Sequence, residues 1–210
     1  MTTTGLHGKR GRPREFDVDE ALDRVIEVFW RHGYDGTTLD DLTAATGVNR
    51  PSLYAAFGHK EQIFEHALDR YARVDMAYVG EAIAQPTAAA VARHYLHENV
   101  FAITAPDRPR GCLSIQAGLA GRTADQGVVK LLRDKRAEGE SALAARLSRA
   151  IHEGDLADAE DPRDLARFLS TVSAGLAVQA AAGASTADLM RVADRALSAF
   201  PIGGLGGPAA

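Results

Sequence analysis

The 210-residue sequence has one cysteine, Cys112, so a disulfide framework within the chain is excluded. No uninterrupted apolar run is long enough to span a bilayer, which excludes a transmembrane helix and predicts no membrane partner. The opening MTTTGLHGKRGRPREF has no apolar h-region of the kind a secretory signal carries, so a cytoplasmic protein is expected. Sustained period-two alternation is missing, and with it any sign of strands. Catalytic signatures are missing too. There is no G-x-S-x-G, no P-loop, no dinucleotide fingerprint after a strand, and no motif-bound base for Cys112. No enzyme and no cofactor are therefore expected. His94 and His97 lie one turn apart with Glu98 adjacent, but no third ligand is evident, so no metal is expected.

What is present is helical. Hydrophobic residues make up 46% of the chain, enough for a sizeable core, and alanine and leucine recur at helical spacing. The predicted fold is all-α. Asp17, followed by Glu20, starts a first helix that carries Leu22, Val25, Ile26 and Phe29, with Phe16 as a staple and Gly33 as the stop. Thr38, with Asp41 three residues on, caps a short second helix that ends at Gly47. Asn49 caps a third, to about Phe57, and a fourth runs from near Lys60 toward Val79. Pro86 fits the first turn of another helix reaching about Thr104. A short helix is predicted after Gly111, a long one over about 126–153, one from Asp161-Pro162 to about Ala182, and a last one from Ser185 to near Phe200. The tail PIGGLGGPAA is expected to be disordered.

The charge is uneven. The net charge is −4, with +4 in the first 14 residues, so the remainder carries −8. An acidic body with a basic head would meet a polyanion through a local patch. The stretch TTLDDLTAATGVNRPSLYAAFGHKEQIF provides one. Gly47 can supply a positive-φ turn, Ala44, Ala45 and Thr46 allow two short helices to approach, and Leu42, Val48 and Leu53 are spaced to bury the seam. Asn49, Arg50, Ser52, Tyr54 and Ala55 then lie near the exposed N-terminal end of the second of these helices, the end that meets bases and phosphates in a helix-turn-helix. An ordinary αα-hairpin would have the same spacing.

The segment FWRHGYDGTTLDDLTAATGVNRPSLYAAFGHKEQIF resembles the N-terminal domain of the tetracycline-repressor (TetR) family of bacterial transcription regulators. The resemblance rests on Gly33-Tyr34-x-Gly36-Thr37-Thr38, Gly47-Val48, Leu53-Tyr54-x-x-Phe57 and Lys60-Glu61, and covers about residues 16–68. It implies a DNA-binding repressor with a basic arm (1–14), a helix-turn-helix domain (15–62), a helical effector-binding and dimerisation domain (63–200) and a tail (201–210). It implies phosphate contacts from Thr38, Tyr54 and Lys60, which position the protein without reading sequence. Arg50 is the candidate for a base edge, matching guanine O6/N7, with Ser52 and Asn49 behind it; Asn49 reads first as a cap. Thr43 and Thr46 stand where the family usually has alanine, predicting slightly looser packing, and Ala55 is small where larger side chains are common. RGRPR resembles an AT-hook core, so Arg10, Arg12 and Arg14 are candidates for an adjacent narrow minor groove.

The resemblance also implies a homodimer on a double-stranded, palindromic DNA operator, joined by the last two long helices through Phe168, Val172, Gly175, Leu176, Leu189, Val192 and Ala196. It implies a small-molecule effector held by the middle helices, with Tyr95, Phe101, Cys112, Gln116 and Gln179 as candidate lining. Two alternatives stay open: a thiol sensor at Cys112, its thiolate favoured by Arg110, and a protein that binds DNA without an effector.

Overall fold

The computed structural model describes residues 16–119 and 125–201. Ten helices and no strand occur among the described residues: α1 (Val18–Gly36), α2 (Leu39–Thr46), α3 (Arg50–Phe57), α4 (Lys60–Val74), α5 (Ala77–Ile83), α6 (Ala88–Ile103), α7 (Leu113–Leu119), α8 (Gln126–His152), α9 (Pro162–Ala181) and α10 (Thr186–Ala199). The basic arm and most of the tail lie outside the described residues.

Local signals set most helix starts. Asp17 Oδ1 accepts from the Asp19 and Glu20 amides at 2.9 and 3.1 Å. Thr38 and Asp41 form a reciprocal capping box, and Asn49 Oδ1 accepts from the Ser52 amide at 3.0 Å. Asp161 caps α9 and Ser185 caps α10. Gly33, at φ 68° and ψ 176°, breaks α1, and one further turn follows. Phe16 packs against Phe57 of α3, with ring centroids 6.0 Å apart.

Two boundaries differ from the sequence reading. The fourth helix ends at Val74, because Met76 leaves helical geometry (φ −109°, ψ 20°) and α5 starts afresh. Pro86 lies outside α6. Thr87 is its N-cap, accepting from the Ala90 amide at 3.2 Å, and the Ala88 amide is taken by Asp155.

One continuous core runs through the chain. Phe29, Phe64 and Tyr34 form an aromatic cluster between α1 and α4, with Phe29–Phe64 at 4.9 Å and Tyr34–Phe64 at 5.3 Å. Trp30 meets Tyr71 edge-on at 5.1 Å. α4 crosses the 62/63 boundary without a break, and its buried face from Ile63 to Tyr71 packs on α1. It therefore belongs to both halves. Beyond it α5, α6, α9 and α10 pack together, and α8 pairs with α9. Among the described residues, no helix is long and apolar enough to cross a membrane.

Candidate nucleic-acid interface

The α2–α3 unit is rigid for reasons visible residue by residue. Gly47 is left-handed at φ 68°, where a side chain would strain the backbone. Leu42 and Leu53 are fully buried and Val48 nearly so, closing the seam. Thr46 does more than replace an alanine: its hydroxyl donates to the Leu42 carbonyl at 2.7 Å and accepts from the Val48 amide at 3.2 Å, tying the turn to both sides. Thr43 donates to the Asp40 carbonyl at 3.0 Å. These bonds replace the expected looseness. Buried Thr37 donates to the Gly33 carbonyl at 2.7 Å and fixes the entry to α2.

On the outer side, Asn49, Arg50 and Tyr54 are exposed and Ser52 half-buried. Asn49 is the cap of α3, as its first reading required. The Thr38 hydroxyl donates to Asp41 Oδ2 at 2.7 Å. Arg50 is ion-paired with Asp40 at 2.6 Å. Tyr54 lies edge-on to His59, with centroids 5.5 Å apart. Lys60, half-buried, has Nζ 4.3 Å from the centre of the Tyr34 ring, and burial pulls its pKa down. Thr38, Arg50, Tyr54 and Lys60 thus lie at or near the N-terminal ends of α2, α3 and α4. Arg10, Arg12 and Arg14 lie outside the described residues.

This unit is tied to the rest by charge. Arg70 on α4 clamps Asp23 of α1 through two bonds of 2.8 and 2.7 Å, and reaches Asp19 at 2.9 Å. Arg70 holds the Asp23 carboxyl below the ordinary carboxylate range. Arg108, in the α6–α7 loop, pairs with Asp75 at 2.9 Å and approaches Asp23 at 3.9 Å. Burial pushes the Asp75 carboxyl up. Tyr34 donates to Asp125, the cap of α8, at 3.1 Å, and Lys135 of α8 pairs with Asp69 of α4 at 2.6 Å. None of these pairs was read from the sequence. They join residues 33 to 91 positions apart, which no local pattern marks.

The expected ligand residues scatter. Tyr95 is buried, with Ser170 and Ser173 close to its hydroxyl. Near it Tyr78 donates to Asn99 at 3.0 Å, and Asn99 reaches the Ser173 carbonyl at 3.5 Å. Cys112 is buried beside Tyr71 and 3.2 Å from the Ser114 hydroxyl. Phe101, by contrast, is 53% exposed, because it falls on the outer face of α6. Gln179 is exposed on α9, and half-buried Gln116 donates to the Arg110 carbonyl at 2.8 Å. Arg110 does not face the thiol. It donates to the Ala180 carbonyl at 3.1 Å and to Ala184, capping the end of α9. An open cleft of about 770 Å³ between α8 and the start of α9 is bordered by none of these five candidates.

Of the expected dimer residues, Gly175 and Val192 are exposed, while Phe168, Val172 and Ala196 are half-buried. Leu176 and Leu189 are instead 2% exposed, in the protomer's own core. Leu176, one residue on from exposed Gly175, is turned about 100° round α9, while Leu189 lies one turn before Val192 but on the buried side of α10. His94 and His97 diverge, to Glu81 at 3.3 Å and Asp194 at 2.8 Å. No group of residues able to hold a metal occurs among the described residues.

A rigid two-helix unit, a polar row at three helix N-termini and an appended helical body define a helix-turn-helix transcription regulator. The family model for bacterial regulatory proteins of the tetR family matches residues 21–67. The chain is 34% identical over 203 residues to the HTH-type transcriptional repressor ComR of Escherichia coli K12, covering 95% of this chain and 96% of that one. It is 29% identical over 176 residues to the HTH-type transcriptional repressor AcnR of Corynebacterium glutamicum, covering 83% and 87%. Among solved structures it resembles a cysteine mutant of the TetR family regulator CifR complexed with a 26bp double-strand operator DNA, at TM-score 0.85 and 40% identity, covering 90% of this chain and 100% of that one. The chain belongs to the TetR family and is a DNA-binding transcriptional regulator, not an enzyme.

Proposed function

We propose that this chain is a repressor that binds a paired operator as a homodimer and is released from it by a small molecule. The observation that carries the reading is the exposed N-terminal end of α3, held over a fully buried seam, with Arg50 and Tyr54 presented outward. Arg50 reads a guanine edge. Tyr54 and the N-terminal ends of α2 and α4, at Thr38 and Lys60, contact phosphates. The repressors ComR and AcnR support the direction of regulation.

The dimer reading is supported by Val178, 40% exposed on α9, and Val192, 53% exposed on α10, beside exposed Gly175. Apolar side chains standing free on the last two helices suit a four-helix contact. The effector site is best placed where Tyr78, Tyr95, Asn99 and Ser173 gather inside the core. Polar groups converging in an apolar interior fix a ligand's orientation. The regulator acts in the cytoplasm, where its DNA lies.

Duplexes selected by the wild-type protein from a randomised pool provide the test. Arg50→Ala should erase the preference at one position per half-site, a discrimination worth about 1–3 kcal/mol. Tyr54→Phe should weaken all duplexes alike. A uniform loss with Arg50→Ala would remove the base contact from this reading.

A further inference from the structure

We propose that Asp40 is a specificity-determining residue: its carboxylate, 2.6 Å from Arg50 Nη2, holds the Arg50 guanidinium in the orientation that reads one guanine. The inference rests on the base-contact reading of Arg50 given above.

Both ends of the pair are anchored. Asp40 sits in the first turn of α2, which the Thr38–Asp41 capping box fixes, and its own carbonyl is held by the Thr43 hydroxyl at 3.0 Å. Arg50 is the first residue of α3, followed by Pro51, and the Asn49 cap holds that turn. Between them lies the turn locked by Gly47, Thr46 and the buried seam. The span from Cα of Asp40 to Cα of Arg50 is therefore set by the scaffold, and the two side chains close it.

A free arginine side chain samples many rotamers, and ordering it on a base costs roughly 2 kcal/mol of side-chain entropy at most. A carboxylate on one Nη removes part of that freedom before DNA arrives. It uses a single N–H of the five a guanidinium has, leaving enough for the two acceptors of a guanine edge. It has a second consequence. The Asp40 side chain is 79% exposed on the face turned to the polyanion, where a negative charge weakens binding to every sequence. An acid there lowers affinity for wrong sites while sharpening the choice of the right one.

The alternatives are an acid that only favours the α2 N-terminus, or one that only repels phosphate. Base profiles from a randomised 26-base-pair pool separate them, for wild type, Asp40→Ala, Asp40→Asn, Arg50→Ala and the Asp40→Ala/Arg50→Ala double variant. With Asp40→Ala, guanine preference at the Arg50 position should fall roughly two- to five-fold, the scale of an exposed charge pair. Binding to unrelated duplex should tighten. Asp40→Asn, which keeps an acceptor for Nη2 without the charge, should retain most of the preference and still bind unrelated duplex more tightly. In the Arg50→Ala background, Asp40→Ala should change the profile no further. If Asp40→Ala shifts affinity equally at all positions while Arg50→Ala flattens one, Asp40 is a surface charge and the inference is overturned with the base contact intact. If Arg50→Ala flattens no position, the base contact itself fails, and this inference with it. Helicity by circular dichroism, unchanged in Asp40→Asn, guards against a loss of α2.

Discussion

Around α2 and α3 the polar side chains that matter stand on the outside, and the inside is plain leucine, valine and phenylalanine. Around α6 and α9 the arrangement differs. Tyr78, Tyr95 and Asn99 are buried, and the outer faces carry Phe101, Val178 and Val192. The first region has a surface that needs nothing but a rigid support. The second sets a few hydrogen-bonded polar groups in an otherwise apolar interior and leaves apolar side chains on its surface; the first feature suits a ligand within, the second another chain without. Between them stand Arg70 and Arg108, whose pairs with Asp23 and Asp75 join α1, the end of α4 and the loop after α6.

The largest test of this contrast is at α9. Leu176 is buried in the protomer, so Leu176→Glu should cost more than about 4 kcal/mol by placing an unpaired carboxylate in the core. Thermal unfolding should show this at any protein concentration. Val192→Glu, on the exposed side of the neighbouring helix α10, should leave unfolding of the protomer nearly unchanged and abolish the dimer in sedimentation, with loss of operator binding. A Leu176→Glu protein that melts normally but sediments as a monomer would put the interface on the opposite face of α9.

The same contrast explains what the sequence could and could not disclose. The DNA-reading unit was legible because its signals are local: caps at Thr38 and Asn49, a turn at Gly47, and a seam within twelve residues. The looser packing expected at Thr46 does not occur, because its hydroxyl bonds back into its own turn, which leaves no mark in the pattern. The break at Asp75–Met76 carries no glycine or proline. It accompanies Asp75 turning toward Arg108, 33 residues away. Leu176 sits on a helix, α9, that is apolar round much of its circumference, and composition alone does not say which side meets its own chain; on α10 the exposed side carries Asp188, Arg191, Asp194 and Arg195, so Leu189 belongs to the stripe that faces the protomer's core. Val178 had a signal, lying three residues from Gly175 on the same face. The ligand residues were least legible, since a polar residue among apolar neighbours looks alike whether it faces a cavity or a hydrogen-bond partner.

An intermediate effect is expected from the basic head. Removing residues 1–14 should leave the dimer and its melting unchanged and weaken operator binding. The slope of log K against log salt should flatten by at most about 3.6 per subunit, since each neutralised phosphate contributes about 0.9 and four cations are removed. The loss should be largest where the flanking sequence is A·T-rich and the minor groove narrow. Titrations at several salt concentrations decide it. An unchanged slope would make the segment a solvated tail and leave recognition to α2, α3 and α4.

The smallest expected effect is at the tie itself. Arg70 lowers the Asp23 pKa in the folded protein, so Asp23 binds its proton more weakly there than in the unfolded chain. Its contribution to stability is then fully present above the ordinary carboxylate value near 4 and is lost as pH falls through the lowered folded value. Asp75 has the opposite sign. Its carboxyl is raised by burial, so its charge costs stability above that range, and the cost fades on acidification. Comparing wild type with Asp23→Asn leaves the burial of Asp75 common to both proteins, but it also removes the repulsion that Asp23 exerts on Asp75, which offsets a small part of the gap. The variant should melt lower at neutral pH, by less than about 1 kcal/mol because the Asp23 side chain is 36% exposed and partly screened by solvent. The gap should close as pH drops below about 4. It should also shrink in salt. A gap that persists unchanged into acid would mean that Asp23 acts through packing and not through its charge, and that α1 is joined to α4 mainly by the aromatic contacts of Phe29, Trp30 and Tyr34.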